Sequence, residues 1–246
     1  MASYQTKAIV LRTRNLGEAD RIVVLLSEDH GKIEAVVKGA RRQRSRFVGN
    51  TLPFNYLNVM LFDGKNLEQL SQADVIHTFA ALREDLMKMG YASYWVDLLD
   101  GFIPEKEGHG EVFRFLLAAF ITLEKTAQPA LLNLAFQARL LNYLGYQPVL
   151  ESCVNCGGND AIRFFSVEAG GVICQSCAKT AGSLILVQPR EITQLGELLS
   201  TDIRQLDRLG VTSDNLQTLQ KILRGFIEYR LDRPLKSQMF LDNILR

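Results

Sequence analysis

Four cysteines in two pairs constrain this chain more than any other feature. Cys153 and Cys156 stand in "CVNCGG", and Cys174 and Cys177 in "CQSC", with 17 residues between the pairs. A C-x2-C pair grips one ion from a tight turn. Two pairs separated by about 15–20 residues close a tetrahedron of sulfurs with bonds of about 2.3 Å. Gly157 follows the first pair, where the chain must turn sharply without a Cβ in the way. Four thiolates leave no open coordination position, so the expected site is structural and not catalytic. Zinc is the expected ion, one per chain. Iron is its rival, because a four-sulfur site accepts either, and the other reading is a pair of redox dithiols or free thiols. A structural zinc contributes on the order of 10–16 kcal/mol to folding its module, enough to order a segment with little core of its own.

Disulfides are not expected to compete for these thiols. The opening residues, "MASYQTKAIVLRTRN", lack the apolar stretch and cleavage site of a signal peptide. The longest apolar run, "FLLAAFITL", is too short to span a bilayer and reads as a buried helix. The expected location is the cytoplasm, with no membrane contact, where thiols stay reduced.

The remaining elements divide by period. Residues 4 to 78 read as β: "YQTKAIVLRT", "DRIVVLLSE", "KIEAVVKG", "FNYLNVMLF" and "LEQLSQADVIH" are short apolar runs split by turn signals, the last two across "DGKN". Five short strands with a long third connection predict a small closed barrel, most naturally of the OB type. From about residue 79 the period becomes helical. Phe113, Leu116, Leu117 and Phe120 follow i, i+3, i+4, i+7, and Pro129 starts a helix that Gly145 and Pro148 end. Leu216, Leu219, Leu223, Phe226 and Arg230 form a stripe in a later helix, with Thr212 or Ser213 to cap it and Pro234 beyond its end. The expected architecture is α+β and multidomain. An OB-fold nucleic-acid-binding domain spans 1–80. A helical domain spans 81–246, interrupted by the four-cysteine zinc module at about 150–180.

Charge is concentrated in one place. The whole chain holds 28 basic and 27 acidic side chains, yet residues 1–50 hold ten Lys/Arg against five Asp/Glu. Within "VVKGARRQRSRFVG", Lys38, Arg41, Arg42, Arg44 and Arg46 place five cations in nine residues with no acid among them. Most charge runs are solvated loops. Here the cations are mainly Arg, which forks onto phosphate, and they fall in the long connection of a candidate OB barrel, a fold that binds nucleic acid along one face. Arg12, Arg14 and Arg21, from the preceding strands and their turn, are expected to extend the same surface. Phe47, Phe54 and Tyr56 are candidates to stack on bases, though each fits a core position better. No base-reading element is visible, so the expected contact is to the phosphate backbone and largely independent of sequence.

Catalytic patterns are missing. There is no phosphate-binding G-x-x-x-x-G-K-[ST], no G-x-G-x-x-G, no H-E-x-x-H and no G-x-S-x-G. His30, His77 and His109 fall in different elements, and Glu84–Asp85 reads as a solvated helix face. A non-enzymatic protein is expected. Two alternatives stay open: a zinc-ribbon adaptor that joins proteins and binds nucleic acid incidentally, and a metal-dependent nuclease assembled from distant carboxylates.

Three segments, in order, carry a family resemblance: "GEADRIVVLLSEDHGKIEAVVKGARRQRSRF", "LGYQPVLESCVNCGG" and "LKSQMFL". Together they resemble the RecO family of bacterial recombination mediators, over nearly the whole chain. The resemblance implies an N-terminal OB fold, a helical domain and a zinc module. Some members lack the cysteines; this chain keeps all four. It also implies a nucleoid-associated role in DNA repair: binding single- and double-stranded DNA, annealing strands coated by single-strand binding protein and, with RecR, helping RecA to load. One residue acquires a candidate partner this way. Arg139 is the only charged residue between Thr126 and Leu150. Its plain reading is a stem packed on its helix with the head in water or paired. The resemblance supplies a ligand, the acidic C-terminal tail of single-strand binding protein, onto whose carboxylate Arg139 would fork. Lys236 is a possible second charge there.

Overall fold

The computed structural model describes residues 2–64, 67–105, 110–231 and 235–244. The chain divides into two compact units: residues 1–125 with 237–246, and residues 126–236.

The first unit begins with five strands: β1 (Ser3–Leu16), β2 (Asp20–Ser27), β3 (Gly31–Val37), β4 (Tyr56–Phe62) and β5 (Glu68–His77). Alternation drives their pairing. In β4, Leu57, Val59 and Leu61 are buried while Asn58 is exposed, as in a strand with one face on a core. The sheet closes in the order β1-β2-β3-β5-β4 and back to β1. β1 pairs on both edges: Ala8 faces Ser27 on one and Leu57 on the other. A register shift between Val10 and Arg12 then bends it. The closing seam, β3 with β5, is parallel and short: Ala35 faces Glu68 and Val36 faces Gln69. Val10, Val23, Leu25, Ile33, Leu57 and Val59 fill the interior.

β2 is buried on both sides from Ile22 onward. Val23 and Leu25 point into the barrel, and Ile22, Val24 and Leu26 are buried on its outer side, where α4 (Gly110–Lys125) packs on β2. α3 (Leu86–Phe102) packs on β1. Two short helices, α1 (Phe47–Asn50) and α2 (Ala80–Glu84), complete this part of the unit. α3 starts where Asp85 caps it, accepting from the backbone N–H groups of Met87 at 2.9 Å and Lys88 at 3.1 Å. Asp85 is therefore a helix cap and not only a solvated acid. Trp95 of α3 stacks on Phe120 of α4, with centroids 6.3 Å apart.

The second unit runs from α5 (Pro129–Tyr143) through β6 (Ile162–Ser166), β7 (Gly171–Cys174), β8 (Ile185–Leu186) and α6 (Pro189–Ser200) to α7 (Ser213–Leu231). Pro129 begins α5, where its missing N–H costs nothing. The three strands form a small sheet in the order β7-β6-β8, and Phe165 of β6 meets Phe226 of α7 edge-on at 6.2 Å. Leu219, Leu223 and Phe226 of the α7 stripe are buried, with Leu216 and Arg230 half-buried. Pro234, the expected stop, lies outside the described residues. After it, α8 (Lys236–Ile244) belongs to the first unit from Ser237 on. The Ser237 N–H donates to Asp97 of α3 at 3.3 Å, and Leu241 is buried beside Gly90.

Candidate nucleic-acid interface and metal centre

The connection between β3 and β4 holds the five clustered cations, and both of its ends are fastened. At its start Gly39 has φ +65°, a conformation that favours glycine. This turns the Gly39 N–H onto Asp20 Oδ1 at 2.8 Å. Lys38 Nζ meets Asp20 Oδ2 at 3.1 Å. The Arg41 N–H donates to Ala19 O at 2.9 Å, and its guanidinium donates to Gly17 O at 2.7 Å. The loop thus lies on the β1–β2 turn. At its far end Asn50 Nδ2 donates to Ala73 O at 2.7 Å, and the buried Asn55 amide donates to Gly49 O and Asn50 O. Between these fastenings Arg41, Arg42, Arg44 and Arg46 are all exposed. Among the described residues none of these four arginines has an ion-pair partner. Arg46 lies over the Phe47 ring, 5.7 Å from its centroid.

The three cations on the strands are placed differently. Arg21 is half-buried at the start of β2, opposite Val37. Arg14 pairs with Glu34 at 2.7 Å. Arg12 pairs with Asp100 of α3 at 3.0 Å and lies 3.9 Å from Glu34. Asp100 also receives Lys32, at 3.1 Å on Oδ1 and 3.0 Å on the backbone carbonyl. Arg12 and Arg14 therefore sit in close ion pairs; Arg42 feels the Asp20 carboxylate from beyond ion-pair distance, and Arg44 has no ion pair among the described residues. The aromatics also separate: Phe54 is buried, edge-on to Phe120 at 5.5 Å, while Tyr56 and Phe47 are half-buried. Of the histidines, His77 pairs with Glu124 at 3.1 Å and His30 packs on Tyr4 at 4.3 Å. His109 lies outside the described residues.

In the second unit, Cys153, Cys156, Cys174 and Cys177 bring their sulfurs within 4.8 Å of one another. A tetrahedral ion with bonds of about 2.3 Å sets sulfurs about 3.8 Å apart, and Cys156 Sγ lies 3.8 Å from Cys174 Sγ. The residues fit a metal ion. The first knuckle is a tight turn in which Gly157, at φ +73°, donates to Cys153 O at 2.8 Å. The second begins where β7 ends, at Cys174, and runs into a short 3-10 turn over Cys177–Lys179. Burial pushes the Cys153 thiol up, but the backbone N–H groups of Cys174, Cys156 and Asn155 outweigh it and bring it down to about 6. Hydrogen bonding to the Cys174 and Cys156 sulfurs pushes the Cys177 thiol up to about 12. A divalent ion bound by the four sulfurs would displace their protons.

Arg139 has internal partners that its neighbours in sequence do not disclose. Its Nη1 donates to Ser200 O at 2.7 Å and Leu199 O at 3.3 Å, the last carbonyls of α6. Its Nη2 donates to the Tyr143 hydroxyl at 3.2 Å. A cation at a helix C-terminus satisfies carbonyls that lack intrahelical donors. Asp20, Asp100 and Glu34 organise the basic region; Asp20 and Glu34 lie near its cations in sequence, while Asp100 stands in an apolar helix with no basic residue close by.

A closed barrel with a fastened arginine loop, followed by a helical unit with four clustered cysteines that could hold a metal ion, defines an α+β protein. Among the described residues no helix is long and apolar enough to cross a membrane. Family models for "Recombination protein O N terminal" and "Recombination protein O C terminal" match residues 1–79 and 83–239. The chain is 36% identical to the DNA repair protein RecO of Symbiobacterium thermophilum over 250 residues, covering 99% of this chain and 98% of that one. It is 37% identical to the DNA repair protein RecO of Pelotomaculum thermopropionicum over 243 residues, covering 98% and 94%. The chain belongs to the RecO family of DNA repair proteins.

Proposed function

We propose that this protein is a recombination mediator that binds single- and double-stranded DNA through the Lys38–Arg46 loop and anneals complementary strands without covalent chemistry. The observation that carries the reading is the loop itself: exposed arginines without ion-pair partners, held at both ends on a barrel. Two strands repel through their phosphates, and a cationic surface that neutralises both lets bases find partners. Lys38, Arg41, Arg42, Arg44 and Arg46 supply the main contacts, with Arg21 beside them. Arg12 and Arg14 contribute at the edge, where Glu34 and Asp100 reduce their field.

The strand order and single parallel closure support an OB-type barrel. In that reading 1–80 is the nucleic-acid-binding domain and 81–246 the helical domain carrying the module at about 150–180. The ion is zinc, which four thiolates hold in a closed, structural site. Family membership supports the partners: RecR, strands coated by single-strand binding protein, and RecA indirectly, on the nucleoid in the cytoplasm. The acidic tail of single-strand binding protein is assigned to Arg139. Titration of a labelled tail peptide into wild type and a folded Arg139→Glu variant tests that assignment, and equal affinity removes it.

The central test is annealing of complementary strands coated with single-strand binding protein, without nucleotide. Arg41→Glu/Arg42→Glu/Arg44→Glu should anneal slowly and bind unrelated sequences more weakly by a similar factor. Its slope of log affinity against log salt should become shallower by about 0.7–0.9 per lost phosphate contact. A triple variant that binds and anneals like wild type overturns the reading.

A further inference from the structure

An acid stands at the root of the cation-rich loop. Asp20 opens β2, and its two oxygens do separate work: Oδ1 accepts the Gly39 N–H at 2.8 Å, and Oδ2 meets Lys38 Nζ at 3.1 Å. The Gly39 hydrogen bond first, and Lys38 second, hold this carboxyl below its usual range. Next to it, Arg41 is tied to Ala19 O and Gly17 O. On charge alone a carboxylate here opposes a polyanion. Its contacts serve another end. A loop that starts in the left-handed region and is released from the carboxylate that holds that start gains conformations, and a ligand must then order it again.

We propose that Asp20 is a positioning residue: by holding Lys38 and Gly39 it presents Arg42 and Arg44 outward, and so raises affinity for a phosphate backbone that its own charge repels. The inference rests on the reading of the loop as the DNA surface.

Two variants separate geometry from charge. Asp20→Asn keeps an oxygen for the Gly39 N–H and removes the charge; Asp20→Ala removes both. Binding of a labelled oligonucleotide to the full chain is measured by anisotropy at matched salt, beside the Arg41/Arg42/Arg44 triple variant. The expected result is Asp20→Asn at or above wild-type affinity. Asp20→Ala should be weaker by about five-fold, the equivalent of one lost loop hydrogen bond. Trypsin should cut the Asp20→Ala loop faster, while the melting transition seen by Trp95, buried in the same unit, stays in place. If Asp20→Ala binds as tightly as Asp20→Asn while the triple variant is weakened, the positioning role is overturned and the DNA surface stands. If the triple variant binds like wild type, the surface falls and the positioning role falls with it.

Discussion

Removing the Asp100 carboxylate should destabilise the first unit far more than an ordinary surface change. Lys32 is 8% exposed and has Asp100 as its ion-pair partner, through Oδ1 at 3.1 Å, with the same residue's carbonyl at 3.0 Å. Asp100→Ala leaves that ammonium under α3 with one neutral acceptor. Breaking a buried pair from one side costs about 3–5 kcal/mol. At about 2–4 °C per kcal/mol for a chain of this size, the transition should fall by about 6–20 °C. Lys32→Met/Asp100→Leu removes both charges together and should recover most of the loss, because the desolvation penalty goes with them. Arg12→Ala should cost under about 1 kcal/mol, since the Arg12 side chain is 53% exposed. Trp95 is the single tryptophan and sits in α3, so its fluorescence on heating reports this unit directly. The gap between Asp100→Ala and wild type should persist in 1 M salt, where exposed pairs are screened over about 3 Å. A transition within about 2 °C of wild type, or a double variant no better than the single, would refute the argument.

Elemental analysis should find one zinc per chain, and Cys174→Ser should lower it. Stripping the metal removes on the order of 10–16 kcal/mol from a small module, so amides of β6 and β7 should exchange rapidly while the Trp95 transition barely moves. Arg139→Ala should destabilise the second unit by about 1–2 kcal/mol, because the Leu199 and Ser200 carbonyls lose their cap; unchanged urea unfolding of that unit would contradict the cap. Gly39→Ala should cost about 1 kcal/mol or more, since the new side chain must enter φ +65°, and a variant as stable as wild type would mean the turn has another conformation.

Where a pattern is local, the sequence disclosed it. The alternating run "FNYLNVMLF" became β4, the continuous apolar run in "DRIVVLLSE" became β2, buried on both faces, and the cysteine spacing became a four-sulfur cage. Contacts made across long separations left no such trace. Nothing near Lys32 announces Asp100, 68 residues later, and nothing near Arg139 announces the end of α6, 61 residues later. The acceptors of Arg139 are backbone carbonyls, which every residue carries, so no residue type in the sequence marks them. The loop cations were plain in composition; the acid that tethers them was one residue at the end of a turn.

The last helix has a consequence for how the protein is made. Residues from Ser237 on complete the first unit, although all of the second unit precedes them in the chain. During synthesis the barrel, α3 and α4 emerge early, yet the surface around Gly90 and Asp97 waits for its cover until the whole second unit has been translated. Until then that surface is open to chaperones and to aggregation. A ribosome stalled just before codon 237 would hold a nascent chain with a buildable cage and an unfinished barrel unit.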